Sequence, residues 1–315
     1  MEDRLGGFTK QSFGYFGKLL ILIGMILVFG GTSAILSSYF CQWLYGIDIT
    51  QINMADIKKE DVNVIASLKW IQTIGGGIGM FLLPALFFPR MLKWDANTLF
   101  QYKTPVKPSA LLLSVLVVFL AVPGVSALFQ LNQGLTFPAN MKAFEDSIRA
   151  MEEQAGALTK IFVAADNMPM LLLNIFVVAL VPAISEEFLF RGVLYQYTRI
   201  IFGNVWVAII ISALIFSGFH GQFYGFLPRF ALGILMGYLF YKSGSIWVPI
   251  LAHFVNNAMA VIMIYYEKDL TIFKIFDESY EFPWYISVLS IASVVAVCRF
   301  FPTRKEPLVQ TENLG

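Results

Sequence analysis

Histidine and cysteine are nearly absent from this chain, with two of each in 315 residues. Cys41 and Cys298 lie far apart and form no CxxC or Cys/His spacing, which excludes a disulfide framework and a cysteine-ligated metal. Charge is scarce as well: 14% of residues are charged and the net charge is +1, so no basic field points to nucleic acid. No polar region is long enough to fold as a separate soluble domain. A removable leader is not expected either. The first apolar run, 19–40, is longer than a signal h-region of ~7–15 residues, and no A-x-A-like site follows it.

What remains is apolar. A hydrophobic fraction of 57% and a mean hydropathy of +0.69 exclude an ordinary soluble domain and imply an all-α, polytopic membrane helix bundle. A bilayer core needs roughly 20 apolar residues per helix. That criterion yields eight expected spans, at 17–40, 66–89, 109–130, 169–198, 203–224, 227–242, 246–266 and 283–301. Spans four to seven are joined by short turns and should be packed neighbours. Gly75, Gly76, Gly77 and Gly79 in span two, and the GxxxG of Gly233 and Gly237 in span six, read as close helix packing. The chain then divides into an N-terminal three-helix region (1–130), a connecting segment (131–168), a four-helix core (169–266), and a last helix with its tail (267–315).

Eight spans put both termini on one side. Leaving out Arg191, that side holds twelve basic residues against nine on the other, which favours cytoplasmic termini. The expected location is a bacterial inner (cytoplasmic) membrane.

Outside the spans, one segment has a clear period. Met141, Phe144, Ile148, Met151, Ala155, Leu158 and Phe162 recur at spacings of three and four with charges between them. Residues 140–163 therefore predict an amphipathic helix, lying on the membrane or on the bundle, or closing over a water-filled entrance. Phe144, Ile148 and Met151 should face apolar surface.

Within the apolar core stands a set of groups that do not belong in lipid. Both histidines, His220 and His253, occur there, together with Glu186, Glu187, Arg191, Asn256 and Asn257. A charged residue at mid-membrane costs roughly 2.5–3.5 kcal/mol on insertion scales, so such residues usually mark a site or a pathway. On a helix Glu187 and Arg191 are i,i+4 neighbours and can pair. Glu186, about 100° round the helix, is left without that partner. A lone carboxylate in low dielectric is the type of group that can take a proton from water near neutral pH. Phe216 and His220 share one helix face, as do His253 and Asn257, with Asn256 close by. A purely structural ion-pair network is the plain alternative.

The residues Glu186-Glu187-Arg191, Phe216-His220 and His253-Asn257 match EExxxR, FxxxH and HxxxN without departure. In this they resemble the CPBP family, the intramembrane proteases that include the type II CAAX prenyl endopeptidase and the bacteriocin-processing and immunity proteins. The resemblance covers about 169–266. It implies an eight-helix bundle with its site on the fourth, fifth and seventh helices, and proteolysis within the membrane. Glu186 and His220 would polarise the attacking water, and His253 and Asn257 would stabilise the oxyanion. Glu187, Arg191, Phe216 and Asn256 would support them. The substrate would be a membrane-associated peptide or protein, with peptide or bacteriocin maturation or self-immunity as the natural roles.

Zinc held by Glu186, His220 and His253 is the alternative to a metal-free glutamate mechanism. The absence of an HExxH-type helix and the fitness of Asn257 as an oxyanion donor favour the latter. A catalytically idle scaffold of the same fold and a proton-coupled transporter are the competing functions. The transporter lacks the expected repeat between halves. One mismatch stands in the spacing: Glu186 and His220 lie roughly 22 and 25 Å from the expected cytoplasmic ends of their helices, but His253 only about 11 Å. Either the turn at 243–247 dips into the bundle, span seven starts lower, or one boundary is wrong.

Overall fold

The computed structural model describes residues 2–266, 275 and 280–303. The tail expected after 303, and Lys268, Lys274, Arg304 and Lys305 from the charge tally, lie outside the described residues. Among the described residues the regular structure is helical throughout, as an all-α membrane bundle requires. The principal helices are α1 (Glu2–Tyr45), α2 (Val62–Met91), α3 (Ala96–Phe100), α4 (Pro108–Gln133) and α5 (Lys142–Val163). They are followed by α6 (Met168–Phe202), α7 (Val205–Phe219), α8 (Phe226–Ser243), α9 (Trp247–Tyr266) and α10 (Trp284–Arg299).

All eight expected spans coincide with helices, but these are unequal. Gly14–Tyr45 of α1, together with α2, α4, α6 and α9, is long and apolar enough to cross a membrane. Helices α7 and α10 are shorter apolar helices, and α8 carries Arg229 and Lys242 in its 18 residues. The expected fifth span, 203–224, is cut short at Phe219 because the chain turns at Gly221, whose φ of +63° suits glycine and disfavours other residues. His220 therefore caps a helix instead of lying inside one.

Local chemistry sets the helix ends. Asn167 opens α6 by accepting from the Met170 N–H at 3.0 Å, and Asn204 opens α7 by accepting from Trp206 and Val207 N–H. Within α6, Pro182 has no N–H to give to the helix ladder. The turns just before it widen to π geometry over Ile175–Leu180, and a second π stretch runs over Phe188–Tyr195.

Helix α6 is central, packed by α2, α7, α8 and α9. Close helix approach occurs as expected at Gly75, Gly77, Gly79, Gly233 and Gly237, whereas a Cβ on Gly76 would meet nothing within 4 Å. A Cβ on Gly79 would lie 2.4 Å from Ser33 Cβ of α1, and one on Gly233 would lie 2.9 Å from Ala213 Cβ of α7. The spacing mismatch also has its answer. The hydrogen bond from His253 to Glu187 puts those two residues at one level, and Ser243, Gly244, Ser245 and Ile246 ahead of α9 are buried while Trp247 is exposed.

Helix α5 forms where the period places it, but its apolar stripe faces away from the bundle. Phe144 is 53% and Met151 67% exposed, whereas Glu145 is only 2% exposed. The polar side makes the contact. Arg149 bonds Glu145 at 2.9 Å and the Gln133 and Leu135 carbonyls, and lies over the Tyr224 ring. Glu152 accepts from the N–H groups of Phe223 (2.6 Å) and Tyr224 (3.2 Å). The stripe is left for lipid because buried polar groups require partners and apolar ones do not.

Candidate active site

Three helices supply the intramembrane polar residues. Glu186 and Glu187 lie on α6 just before its second π stretch, which supplies Arg191. Phe216 and His220 come from the end of α7, and His253, Asn256 and Asn257 from α9.

The expected clamp is present. Arg191 Nη1 donates to Glu187 Oε1 at 2.8 Å, with the two side chains 1% and 0% exposed. Arg191 Nη2 also donates to the Gly233 carbonyl at 3.1 Å. The absence of a side chain at Gly233 thus serves both the α7–α8 contact and the approach of this backbone to the guanidinium. The Arg191 guanidinium stands 4.9 Å from the centre of the Phe216 ring.

One contact is not legible in the motif spacing. His253 Nδ1 donates to the same Glu187 Oε1 at 2.9 Å. A carboxylate can only accept here, so the hydrogen bond fixes the Nδ1–H and turns Nε2 toward Glu186. His253 Nε2 and Glu186 Oε2 are 3.8 Å apart. That is too far for a direct hydrogen bond and suits a single bridging water. Glu187 is therefore shared between arginine and histidine, and Glu186 is the carboxylate facing the open side, its side chain 13% exposed.

His220 is oriented in a different way. Its Nδ1 donates to the Phe216 carbonyl at 2.9 Å, leaving Nε2 as the available nitrogen. The Phe216 ring packs edge-on against both imidazoles, with centroids 5.0 Å from His220 and 5.8 Å from His253. His220 itself is exposed, because it sits past the helix end. On α9, Asn256 Nδ2 donates to Asn257 Oδ1 at 3.2 Å, which occupies the acceptor of Asn257 and leaves its NH2 as the outward group. Both asparagines are half-buried.

Among the described residues no three His, Cys, Asp or Glu side chains stand as a group that could hold a metal ion. The bond from His253 Nδ1 to Glu187 leaves Nε2 available, an orientation that serves a hydrogen-bond donor and a metal ligand alike.

Residues 168–259 match the family model described as type II CAAX prenyl endopeptidase Rce1-like. The likeness to that family rests on this segment. It contains every residue of the cluster above and all of α6 to α8. The chain is 36% identical over 95 residues to the Bacillus subtilis (strain 168) protein named "Putative membrane peptidase YdiL", covering 29% of this chain and 37% of that protein. It is 30% identical over 94 residues to "Uncharacterized protein YpbD" of the same organism, covering 30% and 47%. It is 32% identical over 109 residues to "Membrane-embedded CAAX protease MroQ" of Staphylococcus aureus (strain USA300), covering 33% and 42%. Each match spans less than half the length of the curated relative. No solved structure matches the chain. The match covers the part of the chain that carries these polar residues, and α1 to α5 precede it.

Proposed function

We propose that this protein is an intramembrane endopeptidase that hydrolyses a membrane-associated peptide or protein with a water activated by Glu186. The single observation that carries the proposal is the Glu186–His253 pair. A carboxylate and an imidazole nitrogen face each other across 3.8 Å, with the imidazole held from behind by Glu187. That spacing admits one water within reach of both groups.

Glu186 takes the proton from that water as it attacks the peptide carbonyl, with His220 Nε2 as a second acceptor. His253, held through Nδ1 by Glu187, faces the developing oxyanion with Nε2. Asn257 donates alongside it, its amide oriented by Asn256. The proton held by Glu186 passes to the leaving amine. Each oxyanion donor is worth about 2.7–4 kcal/mol in mutational series. The names of the relatives, membrane peptidase and CAAX protease, support the same reaction class.

Peptide or bacteriocin maturation, or self-immunity, in a bacterial inner membrane with cytoplasmic termini is the setting that fits the charge bias. The test is proteomic. Membrane peptides that accumulate when Glu186→Ala replaces the wild type are the candidate substrates, and purified wild type should cleave them. No accumulation, with no cleavage by purified protein, would reject the proposal.

A further inference from the structure

A cavity of about 420 Å³ lies outside the polar cluster, between the end of α4, the middle of α5 and the segment 222–229. Its size falls within the ~300–1,000 Å³ of ligand sites. We infer that this cavity receives an extended, polar segment of the peptide substrate bearing charges of both signs.

The lining argues for a peptide rather than an acyl chain or a simple anion. Gln133 and Gln222 present amide groups, and Arg149 and Arg229 are balanced by Glu152 and Glu153. Beside Phe129 and Tyr224, these groups give the wall donors and acceptors together, as a peptide backbone needs. The walls are also preformed. Arg149 is fixed by Glu145 and by two carbonyls, and Glu152 is fixed to the Phe223 and Tyr224 N–H groups. Occupancy therefore requires little ordering of the protein.

Gln222 in its lining stands two residues beyond His220 in the chain.

Gly156 is the most telling residue. It is inside helix α5, where glycine weakens a helix relative to alanine. Packing does not require it, since a Cβ there would meet nothing within 4 Å. Yet Gly156 lines the cavity. Its missing side chain keeps that space open.

The meaning of the site rests on the proteolytic reading, but binding can be measured apart from cleavage. Membranes containing the full chain are irradiated with a palmitoylated peptide of alternating Lys, Glu and Gln bearing a central diazirine. A parallel sample receives diazirine-labelled palmitate alone. The peptide probe should label 149–156 and 222–229. Labelling should fall stepwise in Gly156→Ala and Gly156→Trp, by about tenfold in the latter, and stay constant in Ala155→Trp, whose side chain points outward. Gly156→Phe repeats the block if the tryptophan variant fails to accumulate. With a cleavable reporter, KM should rise in Gly156→Trp while kcat holds. Undiminished labelling of Gly156→Trp, or equal labelling of the same residues by palmitate alone, overturns the inference. Labelling that follows the prediction in a chain that cleaves nothing would preserve the peptide site and reject the protease.

Discussion

Glu187 and His253 are joined by a 2.9 Å hydrogen bond between helices 66 residues apart in sequence. The same carboxylate oxygen receives Arg191. Glu187 is thus more than a counter-ion within its own helix. It orients the imidazole that faces Glu186, as the third member of a catalytic constellation orients a base.

Glu187→Gln should separate these two duties. The amide oxygen can still accept one hydrogen bond, but the negative charge that holds both Arg191 and His253 is lost. Activity should drop by about 10²-fold or more, the scale of losing an oxyanion donor, with a smaller loss of thermal stability. Equal activity in purified variant and wild type would show that His253 needs no carboxylate behind it.

Glu186→Gln should abolish cleavage without disturbing the fold. The amide is nearly isosteric but cannot take a proton from water, and Glu186 forms no part of the Arg191 clamp. Circular dichroism and melting should match the wild type. A variant that cleaves a confirmed substrate at near wild-type rate would sink the assignment.

Arg191→Ala should lose stability and activity together. Glu187 is left buried with one partner removed, a change expected to cost roughly 3–5 kcal/mol, and the Gly233 carbonyl loses its donor. Melting of the detergent-solubilised variant at the wild-type temperature would mean that Arg191 acts on substrate and not as a clamp.

Glu152→Ala should free the segment that follows His220. Losing the acceptor for two backbone N–H groups costs about 1–3 kcal/mol locally, with the helices otherwise intact. A cysteine introduced at Gln222 should then react with maleimide several-fold faster than in the Glu152 parent. Unchanged reactivity would show that Asn132, which also bonds Phe223 and Leu227, holds the segment alone.

His253→Ala distinguishes the two accounts of the reaction. If Nε2 is an oxyanion donor, turnover falls and metal content does not change. If Glu186, His220 and His253 hold zinc, the same substitution removes the ion, and chelators inhibit the wild type. Elemental analysis of active protein, before and after exhaustive chelation, decides the matter.

Much of this protein was legible from composition and short-range spacing. Scarce charge and long apolar runs dictate a helical membrane bundle, because lipid leaves backbone groups no partner but the helix itself. The i,i+4 rule put Arg191 beside Glu187, Phe216 beside His220 and His253 beside Asn257, and the three–four period placed α5. These are local consequences of 3.6 residues per turn. Tertiary packing decided the rest. It ended α7 at Phe219 through the Gly221 turn, buried residues 243–246, and set His253 level with Glu186 and Glu187. It also turned the polar side of α5 inward, toward backbone N–H groups left open by the segment before α8, and its apolar stripe outward. Periodicity cannot say which side of a helix docks when a membrane competes with the bundle for the apolar one. Nor can spacing along one helix reveal a hydrogen bond to another, which depends on where glycines such as Gly79 and Gly233 let the helices approach.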